Sequence, residues 1–144
     1  VPAAATKDSS IAQSTVSAGP SKPALWTGRV LYILTILFLL FDVYGKFAKP
    51  VQVMDAFTRL GLPISTSVTI GVVLAVCTVL YVIPRTAVLG AILVTGYLGG
   101  AVSIQLRAGS SMFEIIFPVL FGIVAWLGLY LPDTQLRRML PVRR

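Results

Sequence analysis

Asp42 and Lys46 stand four residues apart in FDVYGKFAKP, acid before base, so a helix through them sets a carboxylate and an ammonium on one face in the favourable order. Arg107 and Glu114 lie at the edges of two later apolar runs, and Tyr97 sits between glycines in GYLGGA. Together these side chains offer acids, a base, a guanidinium and a phenol, groups that would hold an oxygenated lipophilic headgroup or pass a proton. Thr95 and Gln105 add hydrogen-bonding capacity to the segment carrying Tyr97. The four charges also cancel one another. The plainer reading is a structural ion network that locks helix ends, where long side chains commonly snorkel.

Glu114 has a second peculiarity. Pro118 follows four residues later and has no N–H, which leaves the Glu114 carbonyl without its helical donor if the helix starts well before it. A carboxylate beside a freed carbonyl suits a cation or a proton relay, whereas a proline in the first helical turn gives the pair no significance. Two absences narrow the chemistry. The chain contains no His, the commonest ligand for haem, zinc and copper and the usual general base near neutral pH. Cys77 is its one cysteine, which forbids an intrachain disulfide, a CxxC redox pair and a thiolate-held cluster. Among Val and Ala in mid-segment it reads as packing. No metal site and no cofactor bound by this chain alone are expected, with a quinone or lipid as the guest its side chains would accept.

The elements that must position these groups are membrane helices. The chain has 144 residues, of which 56% are hydrophobic and only 12% charged, with a mean hydropathy of +0.89. A net charge of +7 and a pI near 10.1 would on their own suggest a nucleic-acid partner. The hydropathy points instead to lipid, with cations at the ends of spans and no nucleic-acid partner. A helix needs about 20 apolar residues to cross the hydrocarbon core, within a range of roughly 17–25. Residues 64–83, 86–106 and 115–131 carry no charge and each should span. The first apolar stretch, residues 30–41, is too short unless it runs on to residue 47, which places Asp42 about a turn inside the boundary and Lys46 one turn later.

Residues 50–60, PVQVMDAFTRL, open on a proline suited to a first helical turn, put Val53, Met54, Phe57 and Leu60 on one stripe, and stop at Gly61. The expected fold is therefore all-α, an integral membrane four-helix bundle with a short interfacial helix between spans one and two. Residues 1–24 read as a polar tail with no run apolar enough for a signal peptide core, residues 25–132 as the transmembrane domain, and residues 133–144 as a basic tail suited to anionic lipid or an acidic partner. Gly90, Gly96, Gly99 and Gly100 in the third span, two of them in GxxxG spacing, are read as helix-packing positions.

Four spans put both termini on one side. That side collects Lys7, Lys22, Arg29, Arg85, Arg137, Arg138, Arg143 and Arg144, against Lys46, Lys49, Arg59 and Arg107 on the other. The excess of cations places both termini in the cytoplasm, and Trp26, Tyr32, Tyr44, Tyr81 and Tyr130 are expected at the two interfaces as aromatic belts. No inverted repeat suggests a secondary transporter. An ion path would need polar groups through the bundle, and the uncharged second and third spans supply none.

The run LYVIPRTAVLGAILVTGYLGGA, with FDVYGKFAKP, the 61–63 turn, Arg107 and the closing WLGLYLPDTQLRRMLP, resembles the DoxX-like family of small four-helix bacterial membrane proteins. The resemblance covers about residues 28–142 and is most specific at Pro84-Arg85 and GYLGGA. It implies the bacterial inner membrane, a bundle similar to others that bind sterols or quinones, and company: the family's namesakes are described as the small membrane subunit of a thiosulfate-oxidising, quinone-reducing complex. Relatives often carry an acidic residue inside span two, where this chain has Leu74. Two functions are then expected. The first is an accessory subunit, without catalytic activity of its own, that packs against larger membrane chains in a redox or energy-converting assembly. The second is a binding protein or small enzyme for a lipophilic molecule such as a quinone, with Asp42, Lys46, Tyr97, Arg107 and Glu114 at a site near the outer face.

Overall fold

A computed structural model of the chain describes residues 21–139. The polar segment 1–20 and residues 140–144 lie outside them, as do the cations Lys7, Arg143 and Arg144. The described residues form six helices, and their boundaries follow from local chemistry. Helix α1 (Lys22–Ala48) begins earlier than the apolar run alone suggests, because Pro23 in its first turn is already set for helical backbone. It ends at Lys49, whose left-handed backbone lets its N–H reach the Gly45 carbonyl, and Pro50 prevents continuation.

Helix α2 (Val51–Arg59) is the short amphipathic element, with Phe57 buried and Val51 exposed. It stops in a Schellman turn: Gly61 at φ 69° donates to the Thr58 carbonyl and Leu62 donates to Phe57. Helix α3 (Thr66–Val82) is held to 17 residues between Pro63 and Pro84. Helix α4 (Ala87–Arg107) ends in a second Schellman turn at Gly109, and α5 (Met112–Tyr130) starts on a capping box of Ser111 and Glu114. A last short helix, α6 (Thr134–Met139), occupies part of the basic segment after Pro132. Asp133 starts it, its Oδ1 accepting from the N–H groups of Gln135 and Leu136.

α1, α4 and α5 are long and apolar enough to cross a membrane. α3, with 17 residues, falls at the lower end of the length that spans, roughly 17–25 residues. The four make a closed ring in which α1 packs on α3 and α5, and α4 packs on the same two. Leu39, Leu74, Cys77, Tyr81, Ala91, Val94 and Ala125 fill the centre. Large apolar side chains such as Leu34, Leu37, Phe41, Val72 and Leu120 point outwards, the arrangement of a bundle whose solvent is lipid.

Two glycines set the spacing of this ring. A Cβ on Gly90 would overlap the backbone of Leu80 and Tyr81, and one on Gly128 would lie 2.9 Å from the Tyr32 nitrogen. Gly90 is thus the helix-packing position the third span was expected to supply. The other three are not packing positions within this bundle. Gly96, Gly99 and Gly100 are exposed, and a Cβ on any of them would meet nothing within 4 Å, because the ring turns that flank of α4 outwards. GxxxG spacing marks a face fit for close approach, and within this chain nothing occupies it.

The aromatic belt needs the same correction. Trp26 and Tyr44 are exposed near helix ends, but Tyr81 is fully buried and donates its hydroxyl to the Ala125 carbonyl at 2.8 Å. Tyr32 stacks on it, ring centroids 5.2 Å apart, and donates to the Tyr81 carbonyl at 2.9 Å. Both tyrosines sit at interface depth in the sequence yet turn inwards, stitching α1, α3 and α5 through carbonyls that each helix leaves a lone pair to share.

Candidate functional site

At the end of the bundle away from α6, the last turns of α1 bring a charged pair against α3 and α4. Lys46 Nζ donates to Asp42 Oδ1 at 2.7 Å, as the four-residue spacing requires. Lys46 is the more enclosed partner, its side chain 13% exposed against 34% for Asp42. Its stem is fixed from below. Ser67, fully enclosed at the start of α3, donates to the Lys46 carbonyl at 2.9 Å, and Gly71 leaves room for the lysine, since a Cβ there would lie 3.1 Å from the Lys46 Cβ. Tyr97 of α4 completes the group: its ring centroid lies 6.0 Å from Lys46 Nζ. It packs against the core cluster that includes Cys77 of α3.

Asp42, Lys46 and Tyr97 therefore meet. Arg107 and Glu114 share that end of the bundle but not the cluster. Arg107 is exposed and belongs to neither ion pair found among the described residues. Glu114 turns away to the interfacial helix, accepting from Arg59 Nη2 at 2.5 Å and from the Ser111 N–H at 3.0 Å. Sequence reasoning missed Arg59 as its partner. The available signal was the amphipathic stripe of residues 50–60, which fixes α2 flat near the helix ends and leaves Arg59 on its polar side.

Pro118 lies inside α5 as its seventh residue, so the Glu114 carbonyl does lose its helical donor. The carboxylate of the same residue is nonetheless committed to the cap and to Arg59. Leu74 is fully buried in the core. Among the described residues no three of Cys, Asp and Glu gather as a metal-ligand set.

The second feature is on the outer surface. A groove of about 570 Å³ runs between α4 and α5, lined by Gly99 and Gly122 together with Leu98, Val102, Val119 and Ile123. Its one internal polar contact is Trp126 Nε1 donating to Thr95 Oγ1 at 2.9 Å, and Thr95 in turn donates to the Ala91 carbonyl. Neither this groove nor the smaller cavity at the opposite end is lined by Asp42, Lys46, Tyr97, Arg107 or Glu114.

A closed ring of lipid-facing helices enclosing one polar cluster defines a small polytopic membrane protein. The model of the DoxX-like family matches residues 30–128, from the start of the apolar part of α1 to the close packing of Gly128 on α1, and the chain belongs to that family. No curated protein and no solved structure matches it.

Proposed function

We propose that this chain is an accessory subunit that packs against a larger membrane chain of a redox or energy-converting assembly. The observation supporting this is the outward flank of α4, where Gly96, Gly99 and Gly100 lie exposed beside an apolar groove lined by Gly99 and Gly122. Between helices in lipid there is no hydrophobic drive, and affinity comes from close backbone approach and dispersion. Exposed glycines on a span sacrifice helix propensity, about 1 kcal/mol each relative to alanine, and a partner helix seated on them would return it as contact. The cation asymmetry supports an inner-membrane topology with both termini in the cytoplasm.

The test is native mass spectrometry of the chain extracted gently from its own membranes. Wild type should travel with a larger chain, and Gly99→Leu should release it while the helical circular dichroism stays unchanged. Wild type recovered alone would remove the proposal. A second reading, a binding protein for a lipophilic molecule such as a quinone, draws on the Asp42, Lys46 and Tyr97 cluster alone. It expects Asp42→Asn to weaken binding of a short-chain quinone while co-purification persists.

A further inference from the structure

The end of the bundle where the described residues begin and end has a cavity of about 330 Å³ where α1, the α3–α4 turn, the end of α5 and α6 converge. We propose that it binds the headgroup of an anionic phospholipid, with Arg29 as the cation that takes the phosphate. The cavity has two characters. Arg29, Asp133 and Thr134 give it a polar rim, while Val88 and Leu129 continue it along the apolar flank of the bundle. A free anion would use only the rim. An amphiphile uses both, which is why a lipid rather than inorganic phosphate is the fitting occupant.

Charge complementarity points the same way. Among the described residues this end carries Lys22, Arg29, Arg85, Arg137 and Arg138 against Asp133 alone, whereas the other end sets Lys46, Lys49, Arg59 and Arg107 against Asp42, Asp55 and Glu114. Asp133 forms no ion pair with Arg29 among the described residues, and its Oδ1 accepts from two N–H groups of α6. The Tyr32 hydroxyl is likewise committed, to the carbonyls of Tyr81 and Val82, so it forms wall and leaves phosphate recognition to Arg29. α6 closes the cavity from the side: Leu136 is buried and anchors it, and Arg137 lies over the Tyr130 ring at 5.8 Å, keeping a second guanidinium at headgroup depth. Arginine suits this role through its planar fork of donors to phosphate oxygens.

The site is independent of whether the α4 flank meets a partner. It is tested on the full chain in mild detergent, titrated with phosphatidylglycerol or phosphatidylcholine and read by native mass spectrometry. One phosphatidylglycerol should be retained in preference to phosphatidylcholine, Arg29→Gln should reduce its retention about tenfold, and Arg107→Gln at the opposite end should leave it unchanged. Arg29→Lys should retain part of the preference, and melting of each variant shows that the bundle is intact. Equal retention of the two lipids, no effect of Arg29→Gln, or displacement of the lipid by millimolar inorganic phosphate would each overturn the proposal.

Discussion

Asp42 and Lys46 hold each other where water is scarce, so the pair is worth less as an attraction than either charge costs when left alone. Asp42→Asn leaves the enclosed ammonium short of its counter-charge and should lower stability by about 2 kcal/mol, with Lys46→Met similar. The double variant should recover part of that loss. Thermal melts of the four proteins in one detergent form the cycle that measures it. Tyr81→Phe removes the bond to Ala125 but no packing, since the ring stays, and should cost about 1 kcal/mol in the same assay. At this scale the sequence was legible where spacing alone decides the partner, as for Asp42 with Lys46. It was not legible for Glu114 and Arg59, which are 55 positions apart and meet only because α2 lies beside the start of α5. The inward turn of Tyr81 was hidden for a related reason: aromatic residues near span ends serve belts and cores alike, and only the position of the neighbouring helix decides.

Helix α4 carries a clear contrast among its glycines. Gly90→Ala drives a methyl into the backbone of the facing helix and should destabilise the bundle by about 3 kcal/mol, because backbone there has no rotamer to give. Gly96→Ala and Gly100→Ala meet no atom, and in the isolated chain each should raise stability by up to about 1 kcal/mol through helix propensity. The same melts report both signs. Helix α2 is tied to α5 by the exposed Arg59–Glu114 pair, and Arg59→Ala should leave the melt almost unchanged, while hydrogen exchange across Val51–Arg59 speeds up. Span positions and the stop at Gly61 were readable from apolar runs and from the glycine, because those signals are local, whereas the second Schellman stop at Gly109 was not read. Which face of α4 turns inwards was not readable, since glycines line more than one flank and the hydrophobic pattern of a lipid-solvated helix has little directional contrast.

The whole molecule has one thiol, and it is buried in the core. A cysteine introduced at Ser21 or at Ser110 therefore reports cleanly on its own side of the membrane. In intact cells a membrane-impermeant maleimide should label Ser110→Cys and spare Ser21→Cys, with the reverse in inside-out vesicles, if the cation excess faces the cytoplasm. The three long apolar helices, the shorter apolar one, the short amphipathic helix and the family were legible in the chain because length, hydropathy and local motifs settle them. The ring was not, since neighbour order depends on contacts between segments far apart in sequence. That order has a consequence for biogenesis. The seam that completes the bundle joins the first of the four long helices to the last, Phe38 of α1 stacking on Phe117 and Phe121 of α5. As the nascent chain leaves the ribosome, three helices must wait in the bilayer with that seam open and wetted by acyl chains, and the final segment arrives as the keystone.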